Sequence, residues 1–218
     1  MMSEESKKGE SLPPGPHFVA SPPPSTGTPR NAPYILCVTG KMAAGKNFIC
    51  SGLEKQGFVS VDLDELAHEA ISFCTPQILS AFEEEAKKRS LSLLNDDGSV
   101  NRRALAQIVF SDKAFLSKQE SIVYPKIIEL TNQFIEKNKE KSVILNATVL
   151  FKTPELLKKC EKIIFVTANP LKRFFRARKR DHLPIKQILA RFKNQKKLLA
   201  EYKNAARSFN IPIEIIKN

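Results

Sequence analysis

From residue 34 onward the chain alternates short apolar runs with longer stretches whose apolar residues recur at helical spacing. Tyr34-Ile35-Leu36-Cys37-Val38-Thr39 is rich in strand formers, as a strand buried on both faces requires. Phe58-Val59-Ser60-Val61-Asp62 reads as a second strand, and residues 142–147, 162–168 and 211–216 as three more. Between the first two, residues 47–55 put Ile49, Cys50 and Leu53 on one helical face. A helix beginning near Glu65 would bury Leu66, Ala67, Ala70 and Ile71. Residues 75–138 carry no strand signal, and Pro76 to Lys88, Asn101 to Phe110 and Ala114 to Lys137 read as helices. Strands separated by helical runs predict an α/β fold: a parallel sheet of about five strands with helices on both faces, carrying a helical insertion at 75–138.

Residues 1–33 follow neither period. Pro-, Ser- and Gly-rich, they bury too little apolar surface to order themselves and read as a disordered tail, leaving 34–218 as one folded domain. The tail has no apolar h-region, so it is not a secretory signal, and three acidic residues with a single arginine speak against a transit peptide. No stretch approaches the roughly 20 apolar residues of a membrane span. Four cysteines (37, 50, 74, 160) form no C-x-x-C pair, and His17, His68 and His182 have no metal-ligand spacing. The expectation is a cytoplasmic protein with buried free thiols and no zinc site.

The net charge is +12, and its location narrows its meaning. The tail sums to zero, whereas residues 152–207 hold 17 Lys/Arg against 4 Asp/Glu. Such a cluster suits a phosphate-rich substrate or nucleic acid. With no aromatic-interleaved repeat and no nucleic-acid fold signature, nucleic acid is the lesser alternative.

The loop after the first strand supplies the phosphate chemistry. Gly40 to Asn47 reads G-K-M-A-A-G-K-N, one residue from the phosphate-binding pattern G-x-x-x-x-G-K-[S/T]. Its glycines let successive N–H groups face one anion, the following helix adds its positive end, and Lys46 reaches the β- and γ-phosphates. Strand, glycine loop, helix, strand is the context this motif requires. Gly40, Ala43, Ala44, Gly45, Lys46, Asn47 and Phe48 are the candidate nucleotide-binding residues. Asn47 stands where a hydroxyl would bind Mg²⁺, and its amide oxygen is an alternative ligand for a hard cation. Asp62 and Asp64 end the second strand, where open α/β sheets bind ligands. One can accept the proton of an attacking hydroxyl and one can hold Mg²⁺; Asp62 could equally cap the next helix.

Four segments together resemble the dephospho-coenzyme A kinase family: the loop preceded by V-T, then V-D-L-D-E-L-A-H-E, then D-G-S-V-N-R-R-A-L-A-Q-I-V-F at 97–110, and finally Arg176, Arg180-Asp181, Arg191 and Gln195. They lie in the family's order and spacing between residues 34 and 195. The resemblance implies a P-loop NTPase-type fold in which ATP, with Mg²⁺, phosphorylates the 3′-hydroxyl of dephospho-CoA, the last step of coenzyme A biosynthesis. Under it, Lys46 stabilises the transferring phosphate, Asp64 orients or deprotonates the hydroxyl, and Asn47 and Asp62 help place Mg²⁺. Residues 170–197 become an arginine-rich lid with Arg176 in a catalytic role, Arg180 on the nucleotide and Arg191 on the substrate. Asp62, Asp64 and Arg102 join Arg191 in binding substrate, Arg102 through the insertion. Arg173 and Arg178 read as solvated surface.

The chain also departs from the family pattern. Asn47 replaces Ser/Thr, Tyr124-Pro125 stands for His-Pro, Thr148 for a proline, and Lys152 for Glu. Two alternatives therefore stand beside the kinase reading. One is a related kinase with another nucleoside or nucleotide acceptor; the other is a nucleotide-binding module without catalysis.

Overall fold

The computed structural model describes residues 33–181 and 184–218, with the side chain of Asp181 excepted. The expected tail lies, but for Pro33, outside them. In chain order the elements are β1 (Ile35–Gly40), α1 (Lys46–Glu54), β2 (Val59–Asp62), α2 (Leu63–Phe73), α3 (Thr75–Lys88), α4 (Arg102–Val109) and α5 (Lys113–Lys137). β3 (Val143–Asn146), α6 (Pro154–Leu157), β4 (Lys162–Thr167), α7 (Pro170–Asp181), α8 (Ile185–Asn194), α9 (Leu198–Ser208) and β5 (Ile213–Lys217) follow. A 3₁₀ turn at Leu150–Lys152 joins β3 to α6.

The sheet has five strands, all parallel, in the order β2-β3-β1-β4-β5. Its alternation assigns the two faces. Leu36, Val38, Ile144, Ile164 and Val166 pack under α1 with Ile49, Cys50 and Leu53. Cys37, Leu145, Ile163 and Phe165 face the larger core built with α2 to α5 and α9. Strands buried on both faces need continuous apolar sequence, which is why each central strand is a run rather than an alternation.

The helix starts follow local chemistry. Asn101 Oδ1 accepts from Ala104 N–H at 3.1 Å and starts α4. Asn169 Oδ1 accepts from Leu171 N–H at 2.9 Å, with Pro170 at the first helical position of α7. α2 begins at Leu63, two residues before the expected start, because Asp62 Oδ1 accepts from Asp64 N–H at 2.9 Å and caps it there. Within 75–138 the expected helices are present, joined by a turn with one isolated antiparallel bridge, Leu94 to Val100.

Tyr202 of α9 ties the large core to the end of β3. It is fully buried against Phe165 and Phe151, and its hydroxyl accepts from Leu150 N–H at 2.8 Å. Burial raises its pKa well above the ordinary phenol value, so it acts as a neutral hydrogen-bonding post. No described helix is long and apolar enough to cross a membrane.

Candidate functional site

The loop from Gly40 to Gly45 leaves β1 at the centre of the sheet. A Cβ on Gly40 would stand 2.3 Å from the Val166 carbonyl oxygen, so only glycine lets β1 end this close to β4. Ala43 (φ 57°) and Gly45 (φ 102°) adopt left-handed conformations that fold the chain back into α1. No side chain caps α1, and no acidic residue occupies its first turn. A bare helix N-terminus at a curled loop is a suitable seat for an anion.

The loop is held from outside at several points. Gln195 Oε1 accepts from Met42 N–H at 2.7 Å, and Arg173 Nε donates to the Met42 carbonyl at 2.9 Å. Asn218 Nδ2 donates to the Ala44 carbonyl at 3.0 Å, while its own N–H donates to the Thr167 carbonyl at 2.8 Å. Two of the loop's carbonyls, groups that would repel an anion, are thereby satisfied by neighbours.

Beside the loop opens a cleft of about 920 Å³. Ala43, Ala44, Gly45, Lys46, Asn47 and Phe48 line one wall. Asp62, Asp64 and Thr148 form the floor, and Arg176, Arg180 and Arg191 the opposite wall. With Lys41 and Lys179, six cationic side chains face two carboxylates, a balance suited to a polyphosphate. Gly40 sits at the loop's root and does not line the cleft. Arg102 also lies elsewhere, in a second hollow of about 590 Å³ with His68, Glu69, Asn95, Ser99 and Arg103. Asp64 and His68 are one helical turn apart on α2, so the two hollows adjoin along that helix.

On the cleft floor Lys46 Nζ donates to Thr148 Oγ1 at 2.7 Å, and Thr148 Oγ1 donates to Asp64 Oδ2 at 3.2 Å. Lys46 Nζ and Asp64 Oδ2 are themselves 4.0 Å apart. Thr39 Oγ1 and the Tyr202 hydroxyl both donate, at 3.4 Å, to the Thr148 carbonyl. Thr148, which the sequence offered only as a missing proline, thus bridges the lysine and the carboxylate.

Asp62 has two engagements. Oδ1 caps α2, and Oδ2 accepts from Asn146 Nδ2 at 3.0 Å. Asn146 Nδ2 also donates to Asn47 Oδ1 at 3.2 Å. Asn146 is in register with Val38 on one side and Asp62 on the other. It is 5% exposed, and its own Oδ1 has no hydrogen-bond partner among the described residues. The signal for it was present in the sequence: a lone polar residue closing an apolar strand at its carboxyl end, where phosphate-loop proteins place a metal-side residue.

The reading of Arg173 as solvated surface is corrected. It is 5% exposed, its Nε bonds Met42, and its guanidinium lies 4.2 Å from the Phe192 ring centre. Burial holds its pKa below the ordinary arginine value. Arg173 shares its helical face with the buried Ala177, and α8 brings Phe192 over it, whereas Arg176 and Arg178 point outward. The other departures pair up as well. Glu120 accepts from the Tyr124 hydroxyl at 2.9 Å and from Lys152 Nζ, so one carboxylate answers both. All four cysteines are buried and free, and burial pushes the Cys37 and Cys50 thiols up to about 12.

Against known proteins, the dephospho-CoA kinase family model matches residues 34–209. A dephospho-CoA kinase of Treponema denticola is 35% identical over 174 residues, covering 78% of this chain and 77% of its own length. One of Treponema pallidum is 30% identical, covering 77% and 80%. A crystal structure from Thermus thermophilus superposes with a TM-score of 0.69 at 25% identity, covering 86% of this chain and 90% of that one. A dephospho-CoA kinase structure from Campylobacter jejuni shares the fold with a TM-score of 0.53 at 22% identity, covering 84% and 87%.

Proposed function

The chain belongs to the dephospho-CoA kinase family, and on that premise we propose that it transfers the γ-phosphoryl group of ATP to the 3′-hydroxyl of dephospho-CoA, giving coenzyme A and ADP. The observation that carries the site assignment is the Lys46–Thr148–Asp64 chain at the mouth of the glycine loop. It supports the reading because the lysine that would meet the transferring phosphate and the carboxylate that would serve as base belong to one hydrogen-bonded group.

In this reading the loop and the N-terminus of α1 hold the β- and γ-phosphates, and Lys46 turns from Thr148 to the phosphate oxygens. Asp64, 60% exposed in its side chain, accepts the acceptor's hydroxyl proton as the oxygen–phosphorus bond forms and the bond to the β-phosphate oxygen breaks. Arg176, Arg180 and Arg191 supply fixed positive charge where negative charge spreads over the transferring group. The acceptor extends along α2 from Asp64 toward the second hollow, where Arg102 and Arg103 suit its remaining phosphates.

Mg²⁺ is the cation this chemistry calls for. The local donors are hard oxygens, Asn47 Oδ1 and Asp62 Oδ2, and hard oxygens are what Mg²⁺ takes. Held there, it would neutralise negative charge on the nucleotide's phosphates. Buried free thiols agree with a reducing compartment, and the proposed location is the cytoplasm.

The test is ATP- and Mg²⁺-dependent conversion of dephospho-CoA, read by mass spectrometry, with Asp64→Asn beside the unmodified protein. Conversion that collapses in the variant is the expected result. ATP binding without conversion, with Mn²⁺ also tried, would overturn the acceptor assignment.

A further inference from the structure

Thr148 reaches the cleft floor from an anchored backbone. Its neighbours are fixed on both sides: Ala147 N–H donates to the Val38 carbonyl at 3.1 Å, and Leu150 N–H donates to the buried Tyr202 hydroxyl at 2.8 Å. Among the described residues that line the cleft, Thr148 alone carries a side-chain hydroxyl. A proline, the residue of the family pattern at this position, has no side-chain donor to offer.

Asp64 is the opposite case. Its backbone is settled, because its N–H donates to Asp62 Oδ1 at 2.9 Å in the first turn of α2. Its side chain is 60% exposed, and among the described residues Thr148 is the single group that hydrogen-bonds the carboxylate. Lys46 Nζ stands 4.0 Å away, beyond hydrogen-bond reach. An exposed carboxylate without a partner moves among rotamers, and a base must be aimed before it can accept a proton. The two neighbours of the Thr148 hydroxyl fix the direction of its proton. A lysine ammonium only donates and an ionised carboxylate only accepts, so the hydroxyl accepts from Lys46 Nζ at 2.7 Å and donates to Asp64 Oδ2 at 3.2 Å.

We propose that Thr148 is a positioning residue for phosphoryl transfer: its hydroxyl keeps Asp64 aimed at the acceptor oxygen, and holds Lys46 until the triphosphate draws it into the glycine loop. This rests on the kinase reading, which makes Asp64 the base and Lys46 the partner of the transferring phosphate. Once Lys46 has turned to the phosphates, the Thr148 hydroxyl remains as the partner of Asp64 Oδ2. The other carboxylate oxygen is left to take the acceptor's proton. Thr148 acts through Asp64 and makes no bond to the transferring group, so its loss falls on turnover and spares nucleotide binding.

The test compares, in the full chain, Thr148→Val, which keeps the shape and removes the hydroxyl, with Thr148→Ser, which keeps the hydroxyl. In dephospho-CoA conversion the valine variant is expected to lose about ten- to a hundredfold in kcat, the scale on which a small misplacement of a reacting group is felt. Its Kd for ATP, by calorimetry, stays within about twofold of the parent, and the serine variant keeps kcat within about threefold. A merely structural defect would not spare ATP binding and would not be rescued by serine. A valine variant with kcat within about twofold of the parent overturns the proposal, as do equal losses in the two variants or a loss of ATP affinity that matches the loss of kcat. A second measurement needs no turnover. In protein ¹³C-labelled at the aspartate carboxyls, the signal missing from Asp64→Asn belongs to Asp64. Thr148→Val is expected to move that signal, and Thr148→Ser to leave it near its place. A signal indifferent to the valine substitution sinks the Thr148 assignment alone. A signal that responds as expected, in a protein that converts no dephospho-CoA, sinks the acceptor assignment alone.

Discussion

Replacing Arg173 with methionine asks how firmly the lid and the glycine loop are joined. Methionine keeps most of the volume and the apolar stem, and removes the charge and its donors. The structure supplies the terms. One charge-assisted hydrogen bond, Nε to the Met42 carbonyl at 2.9 Å, contributes about 1.5–3 kcal/mol. Stacking at 4.2 Å on Phe192, partly desolvated, adds about 1–2 kcal/mol. Against these stands the relief of a buried cation, one of whose nitrogens, Nη2, has no partner among the described residues. The net expectation is a loss of about 2–3 kcal/mol, or a fall of roughly 4–12 °C in melting temperature for a domain of this size.

A purely structural anchor would stop there. Arg173 also fixes the loop residue whose N–H is bonded to Gln195, so its loss frees Met42 on one side and loosens the α7–α8 packing on the other. ATP affinity, measured by calorimetry well below the melting temperature, is expected to fall about tenfold, near 1.4 kcal/mol. Arg173→Lys should resemble the methionine variant, because a lysine has no Nε–H fork to reach Met42 while stacking on the ring. An unchanged melting temperature would refute the energetic reasoning. A lowered melting temperature with ATP affinity within twofold of the parent would refute the link to the loop.

Gly45→Ala combines a left-handed backbone at φ 102° with a Cβ 2.0 Å from Asn218 Nδ2. The side chain can move but the backbone strain stays, so a loss of about 1–3 kcal/mol and at least tenfold weaker ATP binding are expected; normal binding would sink the argument. The Lys152–Glu120 pair is about a third exposed, so a double-mutant cycle with Lys152→Met and Glu120→Gln should return no more than about 1 kcal/mol of coupling, and a coupling above about 2 kcal/mol would contradict that screening. The Cys37 thiol is raised from 9.0 to about 12 by burial, so the folded chain holds a proton that the unfolded chain releases above pH 9. Its contribution is full below pH 9 and is lost as pH rises toward 12. In urea titrations Cys37→Ala should therefore decline less steeply over that window, by up to about 1.4 kcal/mol per pH unit, and parallel declines would contradict it.

What could be read from the residues alone was whatever is local. Continuous apolar runs name central strands, Asn101 and Asn169 name helix starts, and glycine spacing names the loop, because each signal and its cause lie within a few positions. Thr148 was silent, and the lone polar Asn146 could not be interpreted, because their meaning depends on strand order. Only when β3 lies between β2 and β1 does Asn146 stand in register with Asp62 and Val38, and Thr148 within reach of Lys46. Arg173 was misread for a related reason, since its burial depends on α8 bringing Phe192 over it.

The same geometry changes what the departures mean. Read singly, Asn47, Tyr124, Thr148 and Lys152 are four losses from a family pattern. In space each has an answering group: Asn47 meets Asn146, Thr148 joins Lys46 to Asp64, and Tyr124 and Lys152 converge on Glu120. Contacting groups of this kind are non-additive, because altering one member leaves its partner facing different chemistry. Lys152→Glu alone would set a carboxylate against Glu120, and Asn47→Ser alone would leave Asn146 Nδ2 with one acceptor in place of two. Restoring the family residue at a single position is thus expected to lower stability or metal binding, and the gain, where there is one, belongs to the pair.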